Sequence, residues 1–462
     1  MTTEQNVSAP PDAGDVGERM TPAARRALLG AAAGTLIEWF DYALYGSLAA
    51  ILARELFFPE VSPGLGVLAA FGAYGVAFVV RPLGGLVIGR IGDRYGRKPG
   101  LVLSLTIMGL STFAIAFLPT FAVAGYWAAV LLVVLRLFQG FGAGAENAGA
   151  LALVAEYAPL RQRGFYTALM QSVVLVGVLL ATVAFLLVSA LPREAQLSWG
   201  WRVPFLSAGL MLLIAFYIRS RLEESPEFVA VAEKTRKAGS KPVQPIGLLF
   251  GTMKARLAAM FVIISAYNVF AACLTSFVSS YLRNTVEVTA MQALGAVSVG
   301  TLFGAVAAPA FGAACDRYGF RPVWRVAAWT TIPGVFAMFY GLSTGNFWIA
   351  ALSISLAYVI PYAAGAGAFP GLLANVFPAQ VRFSGIATVR EFSAALVAGT
   401  FPFVATALVL VSDGAPWLVA SYIAIWSVLG LLAIGWLGHH SETPATRNLM
   451  VDQCEPKLMT DG

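Results

Sequence analysis

The chain has 462 residues, of which 58% are hydrophobic and only 12% charged, with a formal net charge of +6. Soluble domains carry about 25% charged residues, so this composition excludes an ordinary soluble fold. Its apolar runs are continuous rather than alternating, which excludes a transmembrane barrel as well.

Taken in chain order, residues 1–24 are polar, lack a signal-peptide apolar region and read as a disordered cytosolic tail. Apolar runs of bilayer-crossing length then predict helices over 26–53, 64–90, 100–118, 125–155, 164–191 and 202–220. A polar linker follows at 221–253, with room for a short amphipathic helix on the membrane surface. Six more helices are predicted over 254–283, 290–314, 323–342, 347–376, 383–411 and 416–438, and 439–462 forms a second cytosolic tail. The expected fold is an all-α membrane protein with twelve transmembrane helices in two pseudo-symmetric six-helix bundles, 25–220 and 254–438.

Lys and Arg collect in alternate loops, at Arg25-Arg26, Arg90 to Lys98, Arg161 with Arg163, Arg219 to Lys241 and Arg317 to Arg325. This positive-inside distribution, which argues against a nucleic-acid partner, places both termini in the cytoplasm of a multi-pass cell (inner or plasma) membrane protein. The lipid bilayer is then its surroundings, and a monomer suffices for function.

One phrase occurs twice. Gly89-Arg90-Ile91-Gly92-Asp93-Arg94-Tyr95-Gly96-Arg97-Lys98-Pro99 returns about 223 residues on as Gly312-Ala313-Ala314-Cys315-Asp316-Arg317-Tyr318-Gly319-Phe320-Arg321-Pro322. A shift near half the chain length marks duplicated halves. Asp93 and Asp316 fall near helix ends, where they can pair with arginine or cap the next helix, and such contacts can latch a two-state protein. Glycines cluster inside the predicted helices, at Gly84-Gly85-Gly89, Gly140-Gly142-Gly144 and Gly365-Gly367, where they permit close helix packing. Pro82, Pro309, Pro361, Pro370 and Pro402 are expected to kink their helices.

Seven charges fall inside apolar runs: Glu38, Asp41, Arg81, Arg136, Glu146, Arg390 and Glu391. Each costs about 2.5–3.5 kcal/mol at mid-bilayer, so they must pair or face a watery cavity. Glu38 and Asp41 share one face of the first helix beside Tyr42. Removal from water and mutual repulsion both favour a bound proton on such a pair, the condition for carrying one at neutral pH. Arg136 and Gln139 share a face of the fourth helix and suit carboxylate binding. A pairing of Arg136 with Glu146 is excluded by about 15 Å of intervening helix, leaving Glu146 as an internal counter-charge. Arg390 and Glu391 either bind substrate or compensate neighbouring charges. Cys273, Cys315 and Cys454 lack ligand spacing, and His439 and His440 end the last helix, so no metal site, cofactor or enzymatic centre is expected.

The repeated loop, together with Arg136-Leu137-Phe138-Gln139-Gly140, resembles signatures of the major facilitator superfamily. Glu38-Trp39-Phe40-Asp41-Tyr42-Ala43-Leu44-Tyr45-Gly46, Arg81-Pro82-Leu83-Gly84-Gly85 and Ala155-Glu156-Tyr157-Ala158-Pro159 resemble its metabolite:proton symporter branch. That resemblance implies alternating access, with the proton gradient as energy source and a small metabolite as cargo. The branch includes carriers of shikimate, α-ketoglutarate, citrate, proline and betaine. By the same resemblance, Asp93, Arg94, Arg97 and Glu156 look like the cytoplasmic gate, with Asp316 and Arg317 as its second copy. Phe320 and Cys315 depart from the first copy, so the second latch is expected to be the weaker. The leading expectation is proton-coupled uptake of a small organic acid. Glu38 and Asp41 would handle protons, and Tyr42, Arg136, Gln139, Glu146, Arg390 and Glu391 would line the substrate site. The alternative is a carrier of a zwitterionic osmolyte such as proline or betaine.

Overall fold

The computed structural model describes residues 21–51, 53–59, 63–221, 224, 229 and 245–440. Its first bundle holds α1 Pro22–Ile51, α2 Pro63–Tyr95, α3 Arg97–Ile115, α4 Tyr126–Tyr157, α5 Arg163–Ser189 and α6 Arg193–Ser220. The second holds α7 Lys254–Arg283, α8 Ala290–Tyr318, α9 Phe320–Ser343, α10 Phe347–Val376, α11 Arg382–Val411 and α12 Trp417–His440. Among the described residues, 11 helices are long and apolar enough to cross a membrane. The remaining long helix is α1, whose 30 residues include Arg25, Arg26, Glu38 and Asp41. The twelve-helix, two-bundle expectation therefore holds.

Most of the expected tails and linker lie outside the described residues. Where they are described, α1 already begins at Pro22, and Pro245–Phe250 forms a short helix.

The two bundles repeat one packing scheme. In the first, α2 and α3 pack on α4, α1 on α5, and α3 and α1 on α6; in the second, α8 and α9 pack on α10, α7 on α11, and α9 and α7 on α12. Between bundles, α2 meets α11 and α8 meets α5.

Glycine sets how closely these helices approach. A Cβ on Gly84 would strike the carbonyl of Phe141, one on Gly140 the carbonyl of Ala77, and one on Gly144 the carbonyl of Arg81. The α2–α4 backbones are thus in direct contact, which brings Arg81 beside the α4 core. Gly140→Leu is expected to destabilise the bundle by at least the ~1–3 kcal/mol typical of overpacking. A lower melting temperature in detergent would register it. Elsewhere, positive φ is required: Gly96 (φ 120°) and Gly319 (φ 88°) break the chain between α2 and α3 and between α8 and α9. These are the same residue in the two copies of the repeated phrase.

Pro82, Pro309 and Pro370 lie inside α2, α8 and α10, while Pro361 sits in a π-helical turn, Tyr358–Tyr362. Pro402 opens the last segment of α11 after a second π turn at Ala394–Ala398, and a third interrupts α7 at Cys273–Phe277. Such turns mark local adjustments in otherwise regular helices. Pro333, inside α9, escapes the sequence reading. Cys273 and Cys315 are free and buried, as packing residues should be; Cys454 lies outside the described residues.

Candidate functional site

Four charged side chains from three helices meet where the bundles touch. Arg81 of α2 donates from Nη2 to Glu38 Oε1 of α1 at 2.6 Å and from Nε to Glu391 Oε2 of α11 at 2.5 Å. Its Nη2 also reaches Glu391 Oε1 at 3.3 Å. Arg81 and both carboxylates are almost fully buried. A guanidinium fork suits this two-acid clamp, and the low-polarity surroundings strengthen it. Because Glu391 belongs to the other bundle, the clamp ties the halves together at the level of the buried charges. Tyr42 lies alongside, its ring 5.4 Å from the Arg81 guanidinium and 4.5 Å from the Phe78 ring, edge to face.

Arg390, next to Glu391 on α11, is placed differently. Its guanidinium stands 5.9 Å over the ring of Phe369, which stacks in a tilted arrangement on Tyr267, itself packed against Tyr362. Its Nε is buried without a hydrogen-bond partner, and among the described residues no carboxylate lies within ion-pair distance of it. Charges withdrawn from water are ordinarily paired, so the half-buried Arg390 is the exception in this cluster.

A second network lies on the other side of Tyr42. Gln139 of α4 donates to Asp41 Oδ2 and, at 2.9 Å, to Thr112 Oγ1, while its carbonyl oxygen accepts from Arg136 Nη1. Arg136 also lies 4.0 Å over the ring of Tyr45. Arg136, Gln139 and Asp41 are all buried. The Gln139 amide expected to meet a substrate carboxylate is bonded here to the protein's own Asp41, with Arg136 behind it. One oxygen of each acid, Glu38 Oε2 and Asp41 Oδ1, is buried without a hydrogen-bond donor.

Glu146 requires a correction. It does not line the space between the bundles; Arg219 of α6 grips it with both terminal nitrogens, Nη1 to Oε2 at 2.7 Å and Nη2 to Oε1. Ser104 Oγ donates to the same carboxylate at 3.1 Å, and the carbonyls of Leu101 and Gly30 accept from Arg219 at 2.8 and 3.1 Å. The pair is sealed inside the first bundle, because ten residues of helix turn Glu146 toward α3 and α6 and away from Arg136. Arg219 ranks with the positive loop ends in the sequence, yet it is fully buried. Counting it changes the charge balance. Four cations (Arg81, Arg136, Arg219, Arg390) now stand against four carboxylates (Glu38, Asp41, Glu146, Glu391), where the sequence reading finds three against four.

The repeated phrase builds a third assembly at one end of the molecule. Asp93, at the end of α2, accepts from the backbone N–H groups of Phe383 (3.2 Å) and Ser384 (2.9 Å), the first turn of α11. Asp316, at the end of α8, accepts from Gly164 (2.6 Å) and Phe165 (2.9 Å), the first turn of α5. Each carboxylate thus caps a helix of the opposite bundle, where unpaired N–H groups and the helix dipole favour negative charge. The glycine four residues earlier makes room: a Cβ on Gly89 would sit 3.1 Å from Ser384 Cα, and one on Gly312 2.5 Å from the Gly164 carbonyl.

Around the first cap the ions are complete. Arg97 pairs with Asp93 and, at 3.0 Å, with Glu156, which also accepts from Arg382 Nη1 of the second bundle at 3.0 Å. Around the second, Phe320 stands for Arg97 and Asn375 for Glu156, so at the position of that carboxylate Arg163 meets an amide oxygen, at 3.4 Å. The second latch has lost two of the charges that hold the first, as its sequence departures imply. Arg94 and Arg317 take no part. Both are exposed, each 5.3 Å over the neighbouring tyrosine ring, Tyr95 or Tyr318, because they lie one position past an aspartate that faces inward.

Residues that the sequence reading leaves out of the site are Arg81 (flagged as a buried charge but given no role), Arg219, Arg382 and Glu224. The last accepts from Arg97 N at 2.6 Å and ties the segment after α6 to the latch. Arg382 was within reach: Pro378 to Arg382 repeats the spacing of Pro159 to Arg163. No group of three or more metal-ligating side chains occurs among the described residues.

Comparison with known proteins agrees with this architecture. The family model for the Major Facilitator Superfamily matches residues 31–402. The shikimate transporter of Escherichia coli K12 is 35% identical over 420 residues, covering 88% of this chain and 93% of its own length. A glycine betaine/proline/ectoine/pipecolic acid transporter, OusA of Dickeya dadantii, is 34% identical over 424 residues, 88% of this chain and 82% of its own. Among solved structures, the proton:xylose symporter XylE superposes with a TM-score of 0.74 at 17% identity, over 90% of this chain and 96% of its own, which speaks to the fold alone. With a family match that spans most of its length and relatives this similar, the chain belongs to the Major Facilitator Superfamily.

Proposed function

We propose that this chain is a secondary active transporter that takes up a small organic acid together with protons, by alternating access between its two bundles. It is a carrier rather than an enzyme, and the proton gradient, not a cofactor, drives it. The observation that carries the reading is the cross-bundle cluster: Arg81 clamped between Glu38 and Glu391, with Arg390 beside it lacking a carboxylate. Arg390 receives the substrate carboxylate between the aromatic wall of Phe369 and Tyr267 and the acids across the interface. Glu38 and Asp41, each with an oxygen that no donor meets, handle protons. Tyr42 joins the two networks, and Arg136 with Gln139 holds Asp41 in place.

Asp93, Arg97, Glu156 and Arg382, with Asp316 as the weaker copy, form the gate on the cytoplasmic side. Both termini lie on that side, and the monomer is the working unit. The similarity to a shikimate transporter favours an organic acid. The similarity to betaine and proline carriers keeps a zwitterionic osmolyte as the second reading.

Uptake of labelled shikimate into membrane vesicles is expected to rise with an inward proton gradient and to collapse on adding a protonophore. Competition by betaine in place of organic acids would favour the second reading, and flux indifferent to the gradient would reject coupling. Arg390→Gln is expected to lower uptake about tenfold or more, as loss of a charged hydrogen bond of ~1.5–3 kcal/mol implies. Its melting temperature should stay close to that of the parent.

A further inference from the structure

The proposed function leaves open how proton and substrate are linked, and the charge inventory speaks to it. Glu38, Arg81 and Glu391, all buried, and the half-buried Arg390, whose Nε is enclosed, make a set of two cations and two anions, neutral when all are ionised. The other buried ions are already matched: Glu146 with Arg219, Asp41 with Arg136 through Gln139, and, at the latch, Arg97 and Arg382 with Asp93 and Glu156. The charged groups acting on Glu38 are Arg81 from α2, Arg390 and Glu391 from α11, and Glu146 from α4, which Arg219 of α6 neutralises.

Within the neutral set, the two acids are not equivalent. Both oxygens of Glu391 accept from Arg81, whereas Glu38 binds Arg81 through Oε1 and keeps Oε2 without a donor. A proton entering the cluster therefore has one open seat, on Glu38. Once it is there, Glu391 alone still neutralises Arg81, and Arg390 has no counter-charge in a medium where an unpaired ion is costly.

We propose that the cluster exchanges one proton for one carboxylate charge: protonated Glu38 leaves Arg390 to be neutralised by a monoanionic substrate, so each cycle carries one proton and one monoanion and no net charge. The proton taken up by Glu38 Oε2 on one side is released on the other when the carboxylate departs and Arg390 again needs the ionised acid. A dianion would leave the occupied set negative, and a zwitterion would need no proton at all. The inference thus rests on the proposed function and narrows it to monocarboxylates in electroneutral symport.

The test uses the full chain reconstituted in liposomes, with labelled shikimate, a monocarboxylate, as probe. At a fixed inward proton gradient, accumulation should be the same whether valinomycin and potassium set the potential to zero or strongly inside-negative. Proton-driven shikimate uptake that rises with the inside-negative potential overturns this inference and leaves the proposed function standing. Proton-driven uptake of betaine but not of shikimate overturns both. Shikimate affinity of the purified parent should fall about tenfold per pH unit on the alkaline side, the slope of a one-proton linkage. In Glu38→Gln it should vary less than twofold over the same range, and a slope retained in that variant overturns the assignment to Glu38. Should Glu38→Gln fail to fold, the potential measurement on the parent decides alone.

Discussion

Replacing Arg219 with Met is expected to cost about 3–5 kcal/mol of stability, because it strands Glu146 as an unpaired charge inside the first bundle. The double replacement Arg219→Met with Glu146→Leu should recover most of that loss. The geometry behind the expectation is closed on every side. Two Arg219 nitrogens hold the carboxylate, Ser104 holds it from α3, and two backbone carbonyls accept from Arg219 as well. Gly34 of α1 presses against the pair so closely that a Cβ there would collide with both side chains. Thermal unfolding in detergent is the measurement. A single variant as stable as the parent, or a double variant less stable than the single, would reject the assignment. The double variant should still transport, which a substrate-binding role for Glu146 would forbid.

The latch carries the second large expectation. Glu156→Gln removes the charge that Arg97 and Arg382 share across the bundles, and hydrogen bonds to charged groups are worth about 1.5–3 kcal/mol each. The equilibrium should move toward the state open at that end by roughly tenfold or more, read as faster labelling of a cysteine placed at Ser384 by an impermeant reagent added on the side where the latch lies. The natural asymmetry supplies the converse. Asn375→Glu places beside Arg163 a carboxylate at the position where Glu156 stands beside Arg382, and should slow both labelling and transport. Equal labelling in all three proteins would show that the charges do not bias the two states.

Much of this was legible in the sequence because lipid imposes a simple code. Helix bounds follow from apolar length, and the predicted 254–283 and 347–376 coincide with α7 and α10. Duplicated halves follow from one repeated phrase, and the buried positions of Glu38, Asp41 and Arg136 follow from the cost of leaving them in hydrocarbon. Partners were not legible, since a pair such as Arg81 and Glu391, 310 positions apart, depends on how two bundles face each other. Arg219 was misjudged for a related reason: at a helix end, a buried arginine and a topology-setting one look alike. Arg94 and Arg317 were drawn into the gate by a motif in which the arginine next to the aspartate stays outside, because the adjacent position on a helix points elsewhere.

The reciprocal caps have one more consequence. In each half the second helix delivers an aspartate, and in each half the fifth helix receives one from its counterpart. A surface patch that gives and takes the same contact is the signature of isologous association, the geometry by which identical subunits form closed pairs. The seam of this single polypeptide is built like a homodimer interface, so an unduplicated half could have closed on its own twin with both aspartates satisfied.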